Sequence, residues 1–117
     1  MNHMSSADTS SEARRISKIL FGTTYRLEVA AVVARAEPGI VSVGSVLEQV
    51  DVPGENASVI RKELEALAKV DLLVRLPRPR GQRVQEYERF PNEYWQVARG
   101  MLEDLEASGG DRHLGRG

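Results

Sequence analysis

The sequence predicts a mainly α-helical domain carrying a small β-hairpin. Three observations lead there. NASVIRKELEALAKV (56–70) and PNEYWQVARGMLEDLEA (91–107) repeat apolar residues at the 3.6-residue period of half-buried helices. YRLEVAAVVARA (25–36) is apolar around most of its circumference, the pattern of a central, buried helix. LLVRL (72–76) and VQEYERF (84–90) are short strand-like runs joined by PRPRGQR (77–83), whose Pro and Gly residues form turns.

In chain order, a first helix is expected over 12–20, with Ser11 as N-cap and Ile16, Ile19 and Leu20 on one side. FGTT (21–24) breaks it. The second helix starts near Thr23 or Thr24 and presents Leu27, Val29, Ala30, Ala31, Val33 and Ala34, until Pro38-Gly39 stops it. IVSV (40–43) has the length of a small strand. SVLEQV (45–50) is a short helix, with Ser45 and Glu48 at capping-box spacing and Ser42 as a rival cap. DVPGEN (51–56) is a turn.

The helix over 56–70 turns Ala57, Ile60, Leu64, Leu67 and Ala68 inward. In the strand that follows, Leu72, Val74 and Leu76 share one face. Tyr87 and Phe90 differ in parity on the return strand, so a bulge or an early exit at Phe90 is expected. The last helix carries a stripe of Tyr94, Val97, Ala98, Met101, Leu102 and Leu105, with Gly100 as its weak point.

At 117 residues, 41% of them hydrophobic and 28% charged, the chain fits one folded domain over 11–107, flanked by flexible tails at 1–10 and 108–117. The leading MNHM is set aside as a tag remnant. No apolar run reaches the roughly 20 residues of a membrane span. No secretory leader is visible at the polar start, so a cytoplasmic location is expected. The chain has no cysteine, and its two histidines, His3 and His113, fall in the tails. Zinc-thiolate sites, thiol nucleophiles and histidine-centred catalysis are therefore not expected, nor is a cofactor. PGENAS is a turn rather than a phosphate loop, and no nucleophile–base pairing stands out, so the chain is not read as an enzyme.

The order helix, helix, strand, helix, turn, helix, strand, arginine-rich loop, strand, helix resembles the winged helix-turn-helix family, most closely its ArsR-like regulators. LFGTTYRLEVAAVV, SVLEQV, ASVIRKELEALAKVDLLV and PRPRGQRVQEY carry the resemblance, over about 16–107. It departs from the family in two ways. DVPGEN is about three residues longer than the usual turn, and Asp71 stands where glycine is common at the helix end. The cysteines, or histidines with carboxylates, of metal-sensing members are absent, so no metal is expected.

The resemblance implies that helix 56–70 enters the major groove of double-stranded DNA. Asn56, Ser58, Val59, Arg61 and Lys62 would then face the duplex, Arg61 suited to guanine, Asn56 to adenine, Val59 to a thymine methyl, and Ser58 and Lys62 to phosphates. Arg75, Arg78, Arg80 and Arg83 would form a wing gripping backbone or minor groove, stiffened by Pro77 and Pro79. Residues 55–83 hold seven cations and four carboxylates, a local +3 against −4 for the remainder of a chain of net charge −1. The resemblance further implies a homodimer built on Ile16, Ile19, Leu20, Tyr94, Trp95, Met101, Leu102 and Leu105, Trp95 at the interface edge. A transcriptional regulator is the expected function, and any small-molecule effector stays unnamed. The alternative is a winged-helix protein–protein interaction module in a larger assembly, without direct DNA readout.

Overall fold

The computed structural model describes residues 6–108. They form α1 (Ser6–Phe21), α2 (Arg26–Arg35), β1 (Ile40–Ser42), α3 (Val43–Leu47), a 3-10 turn at Pro53–Glu55, α4 (Ala57–Lys69), β2 (Leu73–Arg75), β3 (Glu86–Arg89) and α5 (Glu93–Ser108). Mainly helical architecture with a small antiparallel sheet is thus observed. No helix among the described residues is long and apolar enough to cross a membrane. The expected C-terminal tail beyond Ser108, and residues 1–5 of the N-terminal one, lie outside the described residues.

The centre of the fold is α2, in which every residue from Leu27 to Ala34 is buried. A helix with no wet face must be enclosed, and α1 and α5 pack along it while α3 and α4 close its remaining side. Glu28 lies within that buried run. Its carboxylate accepts from Arg14 Nε of α1 at 2.7 Å. Arg14 also donates to the Asp51 carbonyl at 2.6 Å and lies 4.9 Å from the centre of the Tyr25 ring. No buried side-chain polar atom among the described residues lacks a partner.

The first helix corrects the sequence reading. It begins at Ser6, so Ser11 is internal rather than the cap. Its buried side is Thr9, Ala13 and Ser17, small residues four apart that an apolar count passes over. Ser17 earns its burial through hydrogen bonds, donating to the Thr23 carbonyl at 2.6 Å and accepting from Leu27 N at 3.1 Å. Ile19 and Leu20 are left 68% and 58% exposed, while Ile16 packs at the core margin.

Beyond Arg35 the end of α2 is closed by a strand. Arg89 Nη1 donates to the carbonyls of Val33, Ala34 and Ala36 at 2.8, 2.9 and 3.0 Å. A guanidinium here meets the negative end of the helix dipole and bonds the carbonyls that end the helix, of which that of Val33 also accepts from Ala36 N at 3.2 Å. Gly39 makes room for it. At φ +102°, it holds a conformation that favours glycine, and a Cβ there would lie 3.3 Å from the guanidinium carbon.

The sheet order is β1-β3-β2, all antiparallel, with Val41 and Arg75 both opposite Tyr87. Leu73 faces the core and Val74 outward, while Leu72 and Leu76 are half-buried, so the three residues expected to share one face are not the buried set. LLVRL has apolar residues of both parities, and a one-residue shift inverts a strand. The register is set by Asp71, whose φ of 64° ends α4 abruptly, and by Leu72 N bonding back to the Leu67 carbonyl at 3.0 Å. Tyr87 points in and Phe90 out. The β3 ladder has no bulge and the strand ends at Arg89, so the chain leaves it at Phe90 as expected, with Phe90 N still bonded to the Leu72 carbonyl at 3.0 Å.

Ser42, the rival cap, is the true cap of α3, in a reciprocal box with Ser45. Val50 and Val52 plug the core, and Gly54 at φ +70° lets the chain turn into α4, capped by Asn56. In α5 the core residues are Trp95, Ala98 and Leu102. Trp95 is 4% exposed and donates its indole N–H to the Phe90 carbonyl at 2.8 Å; Leu102 is 8% exposed. Both belong to the chain's own core, whereas the sequence reading placed both in a dimer interface, with Trp95 at its edge.

Replacing Arg89 with Ala should cost about 2–3 kcal/mol, because a charged donor to partly buried carbonyls is lost. Replacing Arg99, whose partner Glu103 is an exposed neighbour one turn away, should cost no more than about 0.5 kcal/mol. Urea unfolding of the two variants measures the difference, and equal values would contradict the capping role.

Candidate nucleic-acid interface

Helix α4 buries Ile60, Glu63, Leu64 and Leu67 and exposes Ser58, Arg61, Lys62 and Lys69. Each residue advances about 100° around a helix. Arg61 and Glu63 therefore flank Lys62 on opposite sides of the outward face. The flank of Arg61 looks toward the 76–85 loop, and the flank of Glu63 looks toward the connection between α1 and α2.

On the first flank, Glu65 joins α4 to the sheet. Its carboxylate accepts from both Arg75 Nε, at 3.0 Å, and Arg75 Nη2, and also from the Tyr87 hydroxyl. A forked Arg–carboxylate pair with a third donor fixes orientation as well as distance. Hydrogen bonds from Arg75, then from Tyr87, hold the Glu65 carboxyl down to about 2. Burial, followed by the hydrogen bond to Glu65, pushes the Tyr87 phenol up to about 12. Arg75 is thus a structural cation tied to α4, not one of four unopposed charges in the loop.

The loop 76–85 is closed by its own polar groups. Gln85 Nε2 donates to the carbonyls of Leu76 and Glu86, each at 2.8 Å, across its base. Arg78 Nη1 donates to the Arg83 carbonyl at 3.2 Å across its middle. At its tip Gln82 N bonds the Pro79 carbonyl at 2.9 Å, and Gly81 takes φ +88°.

This closure brings Arg78 and Arg83 to Arg61. The three line one cleft of about 380 Å³ together with Val43, Gly44, Val84, Gln85 and Tyr87. No carboxylate among the described residues lines it. A second groove of about 800 Å³ runs along the outward face of α4, past Ser58, Arg61, Lys62, Lys69 and Arg75. Glu65, the one acid among the described residues of its lining, is already held by Arg75 and Tyr87. Arg61, Lys62, Arg78, Arg80 and Arg83 make no ion pair with any described residue. Unopposed guanidinium groups converging on a concave surface suit oxyanions, phosphate oxygens above all.

Other expected contacts change role. Asn56 Oδ1 accepts from Ser58 N at 3.1 Å and from Ser58 Oγ at 3.0 Å. Asn56 is therefore the helix cap, unable to offer its amide oxygen to a base at the same time, and the Ser58 hydroxyl is its partner. Val59 is half-buried against the core. Glu65, Tyr87 and Gln85 were not anticipated. Glu65 lies one turn after Arg61, but nothing in its spacing points to Arg75 as a partner.

No family model, curated protein or solved structure matches the chain. Among the described residues, no cluster of three or more His, Asp or Glu side chains could hold a metal ion.

The depressed Glu65 pKa has a defined consequence. Folding favours its ionised form, so the contribution is complete above the ordinary carboxyl value of 4.5 and is lost as pH falls toward 2. Glu65→Gln should lower the melting temperature at pH 7 and flatten its fall between those two pH values. Thermal melts across that range provide the check, and a variant with the wild-type profile would contradict the clamp.

Proposed function

We propose that the chain is a winged helix-turn-helix protein of the ArsR-like kind, which binds double-stranded DNA as a homodimer and regulates transcription. In this reading α3 and α4 are the helix-turn-helix, α4 lies in the major groove, and the 76–85 loop is the wing. The observation that carries it is the shared cleft of Arg61, Arg78 and Arg83 between α4 and the loop, with no acid among the described residues that line it. Arg61 and Lys62 are then the residues of α4 nearest base edges and groove phosphates. Arg78, Arg80 and Arg83 anchor the backbone or enter a narrow minor groove. Asn56 sets the start of the helix instead of reading adenine, and the Ser58 hydroxyl is its partner. A cytoplasmic setting agrees with this role.

Dimerisation uses the apolar surface that the terminal helices leave outside the core. Ile19 and Leu20 are exposed on α1, Val97 is 57% exposed on α5, and Tyr94, Met101 and Leu105 are half-buried beside it. Leu20→Glu should convert a dimer to a monomer in sedimentation equilibrium. A wild-type chain that stays monomeric at all concentrations would remove the dimer from the proposal.

Fluorescence anisotropy with random-sequence duplexes tests DNA binding. Micromolar affinity that falls steeply between about 50 and 200 mM salt is expected. Arg83→Ala should weaken every duplex alike, whereas Arg61→Ala should also relax preference for a selected site, by about 1–3 kcal/mol at the affected base pair. Absence of duplex binding at low salt would overturn the reading and leave the protein-interaction module in its place.

A further inference from the structure

A helix seated in a major groove runs between two phosphate backbones, and the loop arginines serve only one flank of α4. On the other flank, α4 meets the connection between α1 and α2. There Lys18, Thr24, Arg26, Val59, Lys62 and Glu63 contribute to a second cleft of about 460 Å³.

Its charge is not what a simple count suggests. Glu63 is buried, and its carboxylate accepts from Arg26 Nε and the Thr23 hydroxyl, which consumes both the acid and one cation. Lys18 and Lys62 remain, each without an ion pair among the described residues. Lys18 Nζ donates to the Gly22 carbonyl at 3.3 Å, which leaves further N–H groups of the ammonium available. The Thr24 hydroxyl, half-buried in the same cleft, makes no hydrogen bond among the described residues. Two ammonium groups and one uncommitted hydroxyl converge on a concave surface whose only carboxylate among the described residues is spent.

We infer that this cleft is a second phosphodiester site, in which Lys18 and Thr24 hold the DNA backbone on the side of α4 opposite the loop. The inference rests on the DNA-binding reading and extends its footprint to a connection that neither the recognition helix nor the loop includes. Lys62 sits between the two flanks and would be shared. Contacts of this kind position the helix in the groove and carry no sequence information.

Duplex binding by Lys18→Ala, Lys18→Arg and Arg83→Ala, measured by anisotropy across a salt series, tests it. Lys18→Ala should weaken all duplexes alike and reduce the slope of log K against log salt by about 1. Lys18→Arg keeps the cation and should restore the wild-type slope. If Lys18→Ala matches wild type while Arg83→Ala binds weakly, the second site is wrong and the DNA-binding reading stands. If Lys18→Ala and Lys18→Arg are equally weak, the side chain acts by shaping the end of α1, and the phosphate contact is again wrong. A wild-type chain that binds no duplex removes both.

Discussion

Eight consecutive residues of α2, Leu27 to Ala34, are withdrawn from water, and that burial governs where the rest of the chain can lie. Each large aliphatic side chain contributes about 1.5–3 kcal/mol when fully buried, but only if neighbours enclose the helix on all sides. The enclosing elements are α1, α5 and the α3–α4 pair. The polar groups carried inward with α2 then need partners from those neighbours. Glu28 takes Arg14 from α1, and the last carbonyls take Arg89 from β3. Through Arg89 the buried helix also fixes the sheet, and through the sheet the base of the arginine loop.

The same logic sets the charge on α4. Its two central carboxylates, Glu63 and Glu65, lie on opposite flanks and are each consumed by a structural cation. Glu63 takes Arg26 at the connection between α1 and α2, and Glu65 takes Arg75 at the hairpin. These pairs lock α4 to both neighbours. Between them, Arg61 and Lys62 face outward and make no ion pair among the described residues. A composition close to neutrality thus coexists with a strongly cationic surface, because the acids are turned to construction. A helix and loop held in fixed relation lose little freedom on docking, which favours affinity for a rigid partner.

Much of this was legible in the sequence. The period of Ile60, Leu64 and Leu67 marked α4, and the arginines among Pro77, Pro79 and Gly81 marked the loop. What escaped was decided by contacts distant in sequence. The early start of α1 depends on Thr9, Ala13 and Ser17, whose burial comes from fitting closely against α2 and from hydrogen bonding, not from hydrophobicity. The facing of β2 was ambiguous because Leu72 and Leu73 offer both parities, and the turn at Asp71 chooses between them. Arg75 looked like its neighbours in the loop until Glu65, ten residues earlier, was brought beside it. Trp95 reads as interface because the last helix carries more apolar surface than a chain of this size easily covers; here the Phe90 carbonyl and the α2 surface take it inward.

The outward face of α4 and the arginine loop are proposed to form one surface for duplex DNA. Titration of the isotopically labelled protein with a short duplex, followed by amide and arginine side-chain NMR shifts, addresses it residue by residue. The account predicts that the largest shifts fall together on Arg61, Lys62, Arg78, Arg80 and Arg83, with Trp95 and Ala98 unmoved. Shifts confined to the terminal helices, or on the loop without α4, would contradict it.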